Sequence, residues 1–117
     1  MITAPAPEES IAELLADIEQ FGQQFVHEQD VFTIGARHLG DRVRFALPIN
    51  SVGNVVEVYA DFAVRRDGNH LVIEVTEDYG ESRHTPPPLL VEAHTRIGLL
   101  PGMRLWAAAW MDRAARS

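Results

Sequence analysis

Arg42, Tyr59, Asp61, His70 and Glu74 are the side chains whose spacing offers acid–base chemistry. Asp67-Gly68 reads as a two-residue hairpin turn, because both central positions of a type I′ turn need positive φ. Folding about it sets Asp61 opposite Glu74, Ala63 opposite Val72 and Arg65 opposite His70. A four-residue loop, Asn50-Ser51-Val52-Gly53, sets Arg42 against Asp61, Phe45 against Val58 and Leu47 against Val56. The expected constellation is Arg42, Asp61 and Glu74 side by side, with Tyr59 and His70 diagonal to them. Two facing carboxylates repel. Either a cation bridges them or one pKa rises into the range where a general acid or base works. The chemistry would then be proton transfer on a small molecule. The plainer expectation is that Arg42 bridges the pair and solvent screens the triad.

Other reactive residues do not combine. His27, His38, His70, His84 and His94 show no His-Glu-x-x-His and no pair at i,i+4, so no metal site is expected. Ser82 and His84 share one segment without an orienting acid. No G-x-S-x-G, phosphate loop or dinucleotide fingerprint occurs, and no cofactor is expected. The absence of cysteine removes disulfides and thiolate chemistry and fits a reducing compartment.

The elements that must position these residues follow from periodicity. Ile11, Leu14, Leu15, Ile18, Phe21, Gly22 and Phe25 recur every three or four residues, one stripe of a helix of about five turns. Ser10 and Glu13 have capping-box spacing at its start, and residues 1–7 read as a flexible lead-in to a single domain over 8–117. From Val31 the period becomes two. Phe32, Ile34 and Ala36, then Val43 to Ile49, Val56 to Val64 and Leu71 to Val75 make four half-buried strands. A Leu39-Gly40 turn sets Ala36 against Val43 and Ile34 against Phe45. Residues 77–85 read as a polar loop closed by Pro86-Pro87-Pro88. Segment 89–97 alternates like a strand but also makes a helical stripe; the flanking prolines and Gly98 favour helix. Pro101 opens a last helix with Met103, Trp106, Ala107, Trp110, Met111 and Ala114 on one side.

The expected fold is α+β: an amphipathic helix, a four-stranded antiparallel meander, and a C-terminal helical region covering the same apolar face. In order of elements only, it resembles the cystatin-like and NTF2-like layouts. Fold does not give function.

Charge and leftover apolar surface point toward partners. Net charge is −7, and residues 1–30 hold seven acids and no arginine, so the rest of the chain sums to zero. All ten basic residues are arginine, as in GC-rich bacterial coding sequences. Such a chain does not suit phosphate-backbone binding, which needs clustered positive charge. The longest apolar run, Leu105 to Met111, falls far short of the ~20 residues of a membrane span, and the start lacks the regions of a secretion signal. A cytoplasmic, non-catalytic interaction protein is expected, such as an adaptor, an inhibitor or immunity-type factor, or an assembly subunit. Glu9, Glu13 and Asp17 would face a basic protein surface. Trp106 and Trp110, one turn apart, would anchor either the core or an interface, with homodimerisation as one outcome. The alternative is a small-molecule binder or enzyme with a helix–sheet pocket lined by Phe32, Phe45, Tyr59 and Phe62, using Asp61 and Glu74 as acid and base.

Overall fold

Period-two alternation buries one side of each central strand. Val43, Phe45 and Leu47, then Val58, Ala60 and Phe62, then Leu71, Ile73 and Val75 are each at most 4 % exposed. A computed structural model describes residues 7–29, 35–51, 53–92 and 98–116. Its elements run α1 (Pro7–Gln29), β1 (Gly35–Leu39), β2 (Arg42–Ser51), β3 (Asn54–Asp67), β4 (His70–Asp78), β5 (Arg83–His84), β6 (Leu89–Glu92) and α2 (Leu99–Arg116). Strands β1 to β4 form the antiparallel meander, in the order β1-β2-β3-β4. The fold is α+β. The expected start of the first strand, with Phe32 and Ile34, lies outside the described residues.

All three hairpins are shifted by two residues from the expected register. Phe45 faces Ala36 and Ala60, Arg44 rather than Arg42 faces Asp61, and Glu74 faces Ala63. The loops are shorter or later than expected: Gly40-Asp41, the two residues between Ser51 and Asn54, and Gly68-Asn69. Gly40 and Gly68 have φ near +60°, so glycine takes the first loop position in the β1–β2 and β3–β4 turns. A two-residue shift preserves which side of the sheet each residue faces. It changes who stands opposite whom.

Beyond β4 the chain adds a broken fifth strand. Strand β5 pairs with the end of β4 (Glu77↔His84, Asp78↔Arg83), and β6 pairs with its beginning (His70↔Glu92 to Ile73↔Leu89). Between them three β4 residues, 74–76, run beside four residues, 85–88, so the strip carries one extra residue, as in a bulge. Three of those four are prolines, which donate no N–H to a ladder. Two expectations are corrected here. Residues 83–84 are strand rather than loop, and Leu89–Glu92 is strand rather than helix, because its alternating Leu89 and Val91 continue the apolar side next to Ile73 and Leu71. Residues 93–97 lie outside the described residues. The Gly98 carbonyl accepts the Gly102 amide at 3.0 Å at the start of α2.

Both helices cover the apolar side. Helix α1 starts at Pro7, three residues before the expected cap Ser10; proline is tolerated in a first turn. It buries Leu14, Leu15, Ile18 and Phe21 in the same cluster as the sheet. Helix α2 adds Leu99, Met103, Trp106, Ala107, Trp110 and Ala114. Four rings make the centre of this contact. Phe62 meets Trp106 edge-on at 4.7 Å, Phe45 lies 4.7 Å from Phe62, and Trp106 stacks on Trp110 at 5.0 Å. Pairs of this geometry are worth about 0.5–1.5 kcal/mol each beyond buried area. No described helix is long and apolar enough to cross a membrane.

Candidate functional site

The other side of the sheet is a lattice of charges laid out in three rows by the register. Arg42, Ala63 and Glu74 form one row across β2, β3 and β4. Arg44, Asp61 and Thr76 form the next, and Ala46, Tyr59, Asp78 and Arg83 the third. Asp61 and Glu74 are therefore in different rows and do not face each other, so the expected repelling carboxylate pair is absent. Each has its own arginine. Arg44 grips Asp61 with two hydrogen bonds of 2.8 and 3.1 Å, and Arg65 donates to Glu74 at 2.8 Å. The Asp61 contact holds the Arg44 guanidinium above its ordinary pKa.

The remaining expected acid–base residues are also placed elsewhere. Tyr59 donates its hydroxyl to Glu57 at 2.6 Å, which raises the phenol above its ordinary value, and its ring lies 4.8 Å under the Arg44 guanidinium. Tyr59 is on the polar side, so it cannot line a helix–sheet pocket with Phe45 and Phe62. His70 is exposed at the start of β4, beside Asp67 and Glu92 in register. Proton transfer by an Asp61–Glu74 pair loses its geometric premise. Among the described residues no three His, Asp or Glu side chains are grouped to hold a metal ion.

Short side chains in the middle of the lattice leave a hollow. Ala63 and Thr76 are overhung by Arg42, Arg44, Glu74 and Arg83, and a depression of about 360 Å³ opens there. That is near the lower end of small-molecule sites. The charges around it are balanced, with three arginines and three carboxylates.

On the apolar side stands a group that the alternation marks but the charge disguises. Glu77 continues the odd-numbered buried row Leu71, Ile73, Val75, and it is 0 % exposed. It accepts hydrogen bonds from Trp106 Nε1 at 3.0 Å, from Arg113 Nε at 2.8 Å and Nη2 at 2.5 Å, and from the Tyr79 hydroxyl. Burial pushes its carboxyl up, but the bonds from Arg113, Tyr79 and Trp106 outweigh that and hold it below the usual value. Arg113 is raised by the same pair, and burial followed by the Glu77 carboxylate pushes Tyr79 up to about 12. This knot ties α2 to the end of β4.

The residues expected to meet a partner divide in two. Trp106 is 6 % and Trp110 0 % exposed; both indoles are spent in the core and offer no surface. Leu105, on the far side of α2, is 75 % exposed. On α1, Glu13 is exposed and Asp17 is half-buried at the flank of the apolar stripe. Glu9 lies within α1, at its start. Compared with known protein families, curated proteins and solved structures, the chain matches none.

Proposed function

We propose that this chain is a small acidic, non-catalytic interaction protein: an adaptor, an inhibitor or immunity-type factor, or an assembly subunit. It meets a basic surface of another protein through the outer side of α1. The observation that supports this is the orientation of α1. Its apolar stripe is committed to the sheet, while Ala12, Glu13, Ala16, Gln20, Gln23 and Gln24 are exposed. Helix α1, which carries six of the chain's acids and no arginine, thus turns Glu13 and three glutamines outward. Concentrated charge of one sign steers association and selects partners of the other sign.

The test compares the location of charge with its amount. Reversing Glu9, Glu13 and Asp17 to arginine changes the net charge from −7 to −1. Reversing Glu57, Glu81 and Asp112 to arginine does the same elsewhere on the surface. The wild-type chain, immobilised at low salt, is expected to capture a basic protein that elutes as salt rises. The α1 variant should lose that capture and the control should keep it. Equal capture by both variants, or elution indifferent to salt, refutes the assignment. Light scattering on the same preparations reads whether the chain self-associates.

A further inference from the structure

The depression on the charged side of the sheet has unspent binding capacity of both signs. Arg42 is half exposed, and among the described residues its charge contact is Asp61 Oδ2 at 3.8 Å, beyond hydrogen-bonding reach. Asp61 is already held bidentately by Arg44. Across the row, Glu74 gives one oxygen to Arg65, and among the described residues the other has no hydrogen-bond partner. Only Ala63 separates Arg42 from Glu74, and the two make no ion pair. Strands two apart lie about 10 Å from each other, and Arg42 and Glu74 both line the depression, on either side of Ala63. Thr76, in the neighbouring row, adds a hydroxyl that can donate or accept.

We propose that this depression binds a small zwitterion of the α-amino-acid class. The ligand carboxylate is held by Arg42 and the ligand ammonium by the unspent oxygen of Glu74. A balanced set of three arginines and three carboxylates disfavours a ligand with excess charge of either sign, because each added charge meets its like as well as its opposite. A molecule carrying both charges a few bonds apart avoids that penalty. Arg83, whose contact to Asp78 is 4.0 Å, leaves the far side of the hollow polar, which suits a polar side chain on the ligand. The site lies opposite the helical layer. It is independent of the partner surface on α1, and either reading can fail alone.

Isotope-labelled protein titrated with common α-amino acids, one at a time at millimolar concentration, tests the site. Acetate and methylammonium at matched ionic strength supply the half-molecules. At least one amino acid is expected to shift the amide signals of Ala63, Glu74 and Thr76 and the Arg42 Nε–H, more than acetate and methylammonium together. Arg42→Gln and Glu74→Gln should each weaken binding about fivefold or more, the worth of one charge-assisted hydrogen bond at a half-exposed site. Arg65→Gln, which releases Glu74 without removing it, should retain or tighten binding. All these side chains are exposed, so the variants fold. The proposal is overturned if no amino acid exceeds the summed half-molecules, or if the Arg42 and Glu74 variants respond as the wild type does.

Discussion

Removing Arg113 should invert the way stability depends on pH, whereas removing Glu77 should not. In the native protein four donor groups surround the Glu77 carboxylate, and two of them belong to Arg113. Arg113→Leu leaves a fully buried anion with only Trp106 and Tyr79. Stripping one partner from a buried pair costs about 3–5 kcal/mol. Glu77→Leu is milder. Arg113 keeps 31 % of its side chain exposed and can turn to water, so the main loss is an orphaned Trp106 N–H, about 1–3 kcal/mol. For a domain of this size the two variants should melt lower by roughly 10–20 °C and roughly 5–10 °C.

The pH signature distinguishes the causes. With its folded pKa held low, Glu77 contributes stability that is present above the unfolded value of about 4.3 and lost as pH falls through the folded one. Without Arg113 burial dominates and the folded pKa rises above the unfolded one. The carboxyl then favours folding below about pH 4.3, and that contribution fades as pH climbs through the folded value. Urea unfolding followed by tryptophan fluorescence between pH 4 and pH 8 should therefore show the Arg113→Leu deficit growing with pH. A deficit independent of pH, or a larger loss for Glu77→Leu than for Arg113→Leu, refutes this account of the knot.

Four further outcomes follow from the same structure. Asp61→Asn, which frees Arg44 at a partly exposed site, should lower stability by about 1 kcal/mol or less in the same urea experiment. Gly102→Ala should stabilise α2 by up to about 1 kcal/mol, since the new methyl sits 3.5 Å from Leu89 Cδ2, an ordinary contact. Gly68→Ala, at φ +61°, should cost about 1 kcal/mol or more, and thermal melts of the two variants read the opposite signs. Tyr79 has a raised pKa, so the stability held by its neutral hydroxyl persists up to its ordinary value near 10 and disappears through about 12. Tyr79→Phe should flatten the alkaline loss of stability that accompanies tyrosinate absorbance in the wild type.

The faces of the fold were legible in the residues, and the pairings were not. Alternation tells which side a residue takes, and every hairpin keeps that side after a shift of two. Only the loop chemistry decides between such registers, and Asp67-Gly68 and Gly68-Asn69 are both acceptable loops with the same glycine. The whole acid–base expectation for Asp61 and Glu74 rested on that choice. Glu77 was readable in principle, because it extends the Leu71, Ile73, Val75 series by one step. Its charge argued for a loop, and the arginine that makes it tolerable in the core lies 36 residues away. Likewise Leu89 to Val91 carries both a strand and a helix pattern, and the free side of β4 settled which was used. The stripes of both helices, including the two indoles on one side of α2, followed directly from spacing.

The broken strip along β4 also bears on how copies of this protein avoid one another. A sheet that ends in a continuous row of unpaired amides and carbonyls invites a second chain to join it, and repeated joining produces fibres. Here the terminal strip offers short stretches of two and four residues, interrupted by three consecutive prolines and offset by the additional residue. An incoming strand would lose its hydrogen-bond partners partway along and fall out of step on the far side of the gap. The sheet is thereby stopped from growing at that end, and a chain with a large apolar layer is spared one route to aggregation.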